Sequence, residues 1–150
     1  MSNDMMEALV NKVIKINRGG PESLTGKLLE TGNDFLILLS QDDGVTYMKN
    51  QHIKSISENS KDSQKFNSYL LETLDYKTAY NFSDLMDNLR YQWVKINRGG
   101  PEKVEGVLYD VSDDFVTVIK NEEIVRVSMY HIRSISYGLK AEKNQVESNN

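Results

Sequence analysis

"KINRGGPE" stands at Lys15–Glu22 and again, letter for letter, at Lys95–Glu102. The reading of this octapeptide decides the fold. Gly-rich stretches cradle phosphates where a strand gives way to a helix and successive backbone N–H groups converge on the anion. Here the two glycines run into a proline, which has no N–H, and then into the strand-patterned "ESLTGKLLE". Pro21 also pushes Gly20 toward extended backbone. The octapeptide therefore reads as a hairpin turn. Gly19, Gly20 and Pro21, with Gly99, Gly100 and Pro101, are its turn residues, and the glycines take backbone angles other residues avoid. On this reading, valine at Gly19 or Gly99 lowers stability through strain. A turn alone does not require the polar neighbours. Arg18 and Glu22 lie on opposite arms and could pair across the turn, worth about 0–1 kcal/mol if exposed. Asn17, Arg18, Glu22, Asn97, Arg98 and Glu102 are the candidate interaction residues.

The match extends well beyond the octapeptide when the chain is slid on itself by 80 residues. Gly26, Leu28, Asp34 and Phe35 fall on Gly106, Leu108, Asp114 and Phe115. Upstream, Met6 and Leu9 fall on Met86 and Leu89. Past "SQDDG" the second copy is one residue shorter, and "HIKSIS" (52–57) meets "HIRSIS" (131–136). The chain divides into a first module over 5–57, a connector over 58–82, a second module over 83–138 and a disordered tail over 139–150. The connector opens as the polar "ENSKDSQK". It continues with Phe66, Tyr69, Leu70, Leu71, Leu74 and Tyr76, apolar enough to dock on one or both modules.

Within each module the apolar period is mostly two, the mark of strands. Ile14 and Ile16 alternate with Lys15 and Asn17, and Leu24, Gly26 and Leu28 share one face. "DFLILL" and "DFVTVI" suit a strand buried on both faces. "VTYM" and "IVRV" follow acidic turns, and "HIKSI" and "HIRSI" close the modules. Met5, Met6 and Leu9, like Leu85, Met86 and Leu89, lie at helical spacing, and Asn81 or Ser83 suits the second helix as a cap. The expected fold is mainly β: two tandem Sm-like five-stranded small β-barrels, each preceded by a short helix.

Chemistry is sparse. With no cysteine there is neither a disulfide framework nor thiol catalysis. His52 and His131 stand at matching places as closing-strand residues, without the converging ligands a metal needs. The acidic pairs Asp42–Asp43, Asp113–Asp114 and Glu122–Glu123 fall in turns, where carboxylates are ordinarily solvated, not in a protected cleft that separates their pKa values. No catalytic, cofactor-binding or metal-binding residue is assigned, and neither an enzyme nor a small-molecule substrate is expected. A net charge of -4 lacks the basic footprint of a general nucleic-acid binder. The first Sm motif is loosely matched at Asp34–Phe35 and Asp114–Phe115. Its polar base-contacting position is apolar in one copy (Leu36, Ile37) and Val116–Thr117 in the other, so nucleic acid is not the expected partner. Tyr69, Tyr76, Tyr80 and Tyr91 read as packing residues. The N-terminus carries an acid where a signal peptide is basic, and no apolar run reaches membrane-span length, so a cytosolic product without membrane insertion is expected.

"KINRGGPESLTGKLLETGNDFLILL", "WVKINRGGPEKVEGVLYDVSDDF" and the closing "HIKSIS" and "HIRSISYG" resemble the repeated module of the spore coat protein B family. "FSDLMDNLRYQWV" is similar to the helix that leads into that module. The resemblance covers 5–138. It implies a non-catalytic structural protein of the spore coat, made in the mother-cell cytoplasm and assembled with other coat proteins; a second copy of the chain is a further expected partner. The best-known family members carry a long Ser/Lys/Arg-rich tail, phosphorylated by a coat kinase. This sequence ends in "EKNQVESNN", so a short form is expected and tail-dependent properties are not carried over. The alternative is an Sm-like RNA-binding regulator.

Overall fold

A computed structural model describes residues 3–58, 75–98 and 102–137. In the first half, helix α1 (Asn3–Ala8) leads into strands β1 (Val13–Ile16), β2 (Leu24–Thr31), β3 (Phe35–Ser40), β4 (Gly44–Lys49) and β5 (Ile56–Glu58). The second half repeats the order: α2 (Phe82–Asn88), then β6 (Trp93–Ile96), β7 (Val104–Val111), β8 (Phe115–Lys120), β9 (Glu123–Ser128) and β10 (Ser134–Tyr137). A single 3-10 turn precedes each last strand, at Asn50–His52 and Met129–His131.

Pairing repeats as closely as order does. Ile14 lies opposite Gly26 as Val94 lies opposite Gly106, and each long second strand shifts register at the same place, after Leu28 and after Leu108. Such a bulge bends a long strand sharply and lets one sheet curl around its own core. Three residues past each helix stands a residue with positive φ, Asn11 (74°) and Tyr91 (69°). The N–H groups of these two residues donate to the carbonyls of Leu28 and Leu108 at 2.7 and 2.6 Å. This fixes each helix across the start of its sheet. Asn81, one of the two expected caps, takes the role, its Oδ1 accepting from Asp84 N at 2.8 Å.

The ten strands make one antiparallel sheet in the order β5-β1-β2-β3-β4-β10-β6-β7-β8-β9. It is open, ending at β5 on one side and β9 on the other. The expected pair of closed barrels does not form. The last strand of the second half leaves its own fourth strand and pairs with the fourth strand of the first half, Ser134 opposite Met48 through Tyr137 opposite Val45.

The core follows the same exchange. One cluster is private to the first half: Met6, Leu9, Ile14, Ile16, Leu24, Leu28, Leu36, Leu38 and Met48. The larger cluster spans both halves, joining Phe35, Ile37, Leu39, Val45 and Tyr47 to α2 and to Val94, Ile96, Leu108, Val116 and Val118. β3 thus divides its side chains between two cores and is buried at all six positions, as its sequence pattern indicates. β8 differs from that expectation, because it lies next to the sheet's edge and Phe115 is about half exposed. Met5 is exposed too, although its counterpart Leu85 is fully buried, since only α2 has a preceding half to pack against.

Of the connector, residues 59–74 lie outside the described set, as does the tail over 139–150. The expected apolar docking residues Phe66, Tyr69, Leu70, Leu71 and Leu74 lie outside the described residues with them. Tyr76 and Ala79 pack on the shared core. Tyr47 Oη donates to the Lys77 carbonyl at 2.5 Å, while Lys77 N donates to Tyr137 Oη at 2.7 Å.

Gly26 and Gly106 are required by close approach. A Cβ at Gly26 would sit 2.9 Å from the Leu39 carbonyl oxygen, and one at Gly106 would sit 2.6 Å from that of Ile119. Backbone cannot yield as a flexible side chain does. Alanine at either position is therefore expected to cost about 2 kcal/mol, as overpacking does, and to lower Tm by roughly 5 °C. Calorimetry of G26A and G106A checks this, with the larger loss at Gly106.

Candidate functional site

The octapeptide joins β1 to β2, and in its second copy β6 to β7, two antiparallel neighbours in each case. Its asparagine is the internal anchor. Asn17 and Asn97 are buried and adopt left-handed backbone, φ 58° and 53°, a region asparagine tolerates better than most residues. That backbone aims both ends of the residue at the segment entering the last strand. Asn17 N donates to the Ser55 carbonyl at 2.8 Å and its Oδ1 accepts from Lys54 N at 2.7 Å. Asn97 N donates to Ser134 O at 2.9 Å, and its Oδ1 accepts from Arg133 N at 2.7 Å. Asn97 also donates through Nδ2 to His131 O at 3.1 Å. These two candidate interaction residues make their contacts within the chain.

The glycines do not share a role. Gly20 has φ 86°, which proline after it does not prevent, whereas Gly19 avoids the left-handed region and has open space where a Cβ would go. The strain expected of valine at Gly19 therefore belongs at Gly20. Gly99, Gly100 and Pro101 lie outside the described residues, and with them the expectation for Gly99.

Around these loops the two halves meet. Asp43, in the turn before β4, is buried between two cations of the second half. Arg98 Nε donates to its Oδ2, and Lys95 Nζ lies 3.1 Å from its Oδ1. Arg98 also donates through Nη1 to the Ser23 carbonyl at 2.6 Å. On the other side Arg133 Nε pairs with Glu22 at 2.7 Å. Between the strands, Lys49 N donates to Arg133 O at 3.0 Å, Lys49 Nζ to Met129 O at 2.6 Å, and Thr46 and Ser136 share a hydroxyl hydrogen bond of 3.1 Å. Burial by itself would raise the Asp43 carboxyl. The hydrogen bond and charge of Arg98, then those of Lys95, outweigh it and hold the group below the ordinary carboxylate range. Asp43 is thus a locking charge at the joint, not the solvated turn acid its position suggests.

Arg98 and Glu22, then, join the two halves. Glu22 does not pair across its own turn with Arg18, because Arg133 claims it. Arg18 and Glu102 are exposed and form no side-chain ion pair among the described residues. The histidines sit at the ends of the 3-10 turns, one step before the closing strands where the sequence places them. His52 borders a narrow seam of about 10 Å³ with Asn17, Glu22, Met48, Asn97, Arg98, Arg133 and Ser134. Burial, then the charge of Lys49, lowers its pKa. Sequence reasoning missed Asp43, Lys95 and Arg133. Lys95 lies inside the octapeptide, and Arg133 is the basic residue of "HIRSIS". Only the exchange of β10 brings them together.

The fold and this site define a β-sheet protein of two like units, joined edge to edge, whose repeated loop clamps strands and supplies the charges of the joint. Over 142 residues, 95% of its length, the chain is 39% identical to spore coat protein B of Bacillus subtilis (strain 168), and it spans 37% of that relative. No family model matches it. Over nearly its whole length the chain is thus similar to spore coat protein B and corresponds to that part of the relative.

Removing Asp43 strands Arg98 and Lys95. Asp43→Ala is expected to cost about 2 kcal/mol, below the full penalty of a broken buried pair because both cations keep some exposure. The sign of the pH effect follows from the lowered carboxyl. Its contribution is complete above the ordinary value of 3.8 and is lost as pH falls through the lower folded value. The Tm gap between the unmodified chain and D43N should therefore be wide at neutral pH and narrow at about pH 2, which thermal melts across pH would measure. For the loop, Gly20→Val should cost about 1–3 kcal/mol and Gly19→Val much less, a contrast that chemical denaturation resolves.

Proposed function

We propose that the protein is a structural component of the spore coat that assembles through protein–protein contacts and performs no catalysis. The observation that carries this is the 39% identity to a spore coat protein across 95% of the chain. On this reading each five-stranded half is an Sm-like unit left open at one edge. The chain is made in the mother-cell cytoplasm and deposited on the developing spore with other coat proteins as partners. The character of the repeated loop supports the reading. Its distinctive residues are occupied in holding strands and in joining one β-unit to the next. Among the described residues no three His, Asp or Glu side chains gather where a metal could be held. No helix among them is long and apolar enough to cross a membrane. The RNA-binding alternative has less support, since three of the four positions that would contact bases, Leu36, Ile37 and Val116, are buried apolar side chains, and Thr117 is half-buried.

A fluorescent fusion produced from its own promoter should gather around the forespore during sporulation and remain on the released spore. Signal that stays uniform in the mother cell, with none on the forespore, overturns the proposal.

A further inference from the structure

The joint between the halves uses one edge from each half, and its two counterparts remain unused at the ends of the sheet. β4 of the first half pairs with β10 of the second. The sequence match sets β9 in the place of β4, and β5 in the place of β10. Among the described residues β9 pairs only with β8, and β5 only with β1. We propose that the chain self-associates head to tail, β9 of one copy pairing antiparallel with β5 of the next and repeating between molecules the joint seen within one. This deepens the assembly role proposed above by naming a partner, and rests on that role only for its biological purpose.

The charges carry the argument. Within the chain the joint sets Lys95 and Arg98 on Asp43, and Arg133 on Glu22. Their counterparts on the free ends are Lys15 and Arg18, which the proposed contact would set against Glu122 of the next copy, and Lys54, which it would set against Glu102. Glu122 immediately precedes β9 as Asp43 immediately precedes β4, in a turn one residue shorter. All five are exposed, and none forms a side-chain ion pair among the described residues. Every sign is preserved: the β5 end presents three cations and the β9 end two anions. An edge protected against pairing carries charges that repel an approaching strand; these ends attract each other.

Shape agrees with charge. In the first half, the space bordered by Asn17, Glu22, Met48 and His52 is narrowed to about 10 Å³ by Asn97, Arg98, Arg133 and Ser134. The matching residues of the second half, Asn97, Glu102, Val127 and His131, border a cleft of about 440 Å³. The second copy would bring Asn17, Arg18, Lys54 and Ser55 to fill it. Apolar exposure has the same address. Phe115 and Ile124 are exposed where their counterparts Phe35 and Val45 are covered by the second half, and Met5 is exposed where Leu85 is covered by the first. The expected register follows from the joint: Ser55 opposite Val127, Ile56 opposite Arg126, Ser57 opposite Val125 and Glu58 opposite Ile124.

Two polar links of the inner joint have no counterpart. Val125 replaces Thr46 of the hydroxyl pair, and Ser128 replaces Lys49. The contact between molecules is therefore weaker than the joint within one and depends on concentration. Because it joins unlike edges, it closes into a ring or runs on as a filament.

The test is sedimentation of the full chain over a dilution series up to about 200 µM at low salt. The mass should rise with concentration and fall on adding salt. Arg18→Glu and Glu122→Arg should each weaken association by about tenfold, as loss of a close interfacial charge pair does, without lowering the melting temperature. The combined R18E/E122R chain restores opposite signs across the contact and should recover association. A chain that stays monomeric overturns the proposal. So does association that neither charge reversal alters, because another surface would then be responsible. Failure here leaves forespore localisation untouched, and failure to localise leaves the sedimentation result untouched, so the two proposals stand or fall separately.

Discussion

Four residues of β10 laid against β4, Ser134 through Tyr137 opposite Met48 through Val45, hold the molecule as one body. Without that pairing, the faces of β3 and β4 bearing Phe35, Ile37, Leu39, Val45 and Tyr47 would meet water. Burying five such side chains is worth on the order of 10 kcal/mol by transfer bookkeeping, an upper figure because the unfolded chain already hides some of that surface. The strand exchange therefore gives the second half the far wall of its core. It also explains why both helices lead their sheets while only α2 has a deep seat: Phe82, Leu85, Met86 and Leu89 enter the cluster that the exchange closes.

The same constraint makes unequal partners of two like units. Tyr47 is fully buried in the shared cluster, lies 6.2 Å from Phe35 edge to face, and stacks on Tyr137 at 6.0 Å. Its counterpart in β9 is the exposed Arg126. Ile37 and Leu39 give way to the half-buried Thr117 and Ile119. Each substitution fits what covers the position: a neighbouring unit in one case, water in the other. Burial in this chain is thus set by place in the row as much as by place in the unit.

Most of the elements were legible in the sequence because they depend on local chemistry. Period-two alternation marks the strands, and proline after the glycines rules out a phosphate cradle. The unpaired shift past "SQDDG" marks a shorter turn. Pairing across the halves was not legible. "HIRSIS" looks the same whether β10 closes its own unit or crosses to the next, since the residues at stake, Ser134, Ile135 and Ser136, suit either neighbour. The consequences of that choice were hidden with it: Asp43 as a buried anion, Glu22 claimed by Arg133, and an open sheet in place of two closed barrels. Asn17 and Asn97 escaped for another reason. Asparagine beside two glycines reads as one more turn residue, and only a positive φ turns its amide inward as a clamp.

The two copies of the octapeptide are identical, yet each uses only part of its chemistry. In the first, Glu22 is held by Arg133 while Lys15 and Arg18 face solvent. In the second, Lys95 and Arg98 hold Asp43 while Glu102 faces solvent. Turn geometry accounts for the asparagine and for a glycine at left-handed φ, and it would be satisfied with almost any polar residue at the other places. One joint accounts for the cations of one copy and the anion of the other. The remaining cations and the remaining anion belong to the joint's two missing sides, which lie at opposite ends of the sheet and which one isolated molecule cannot bring together.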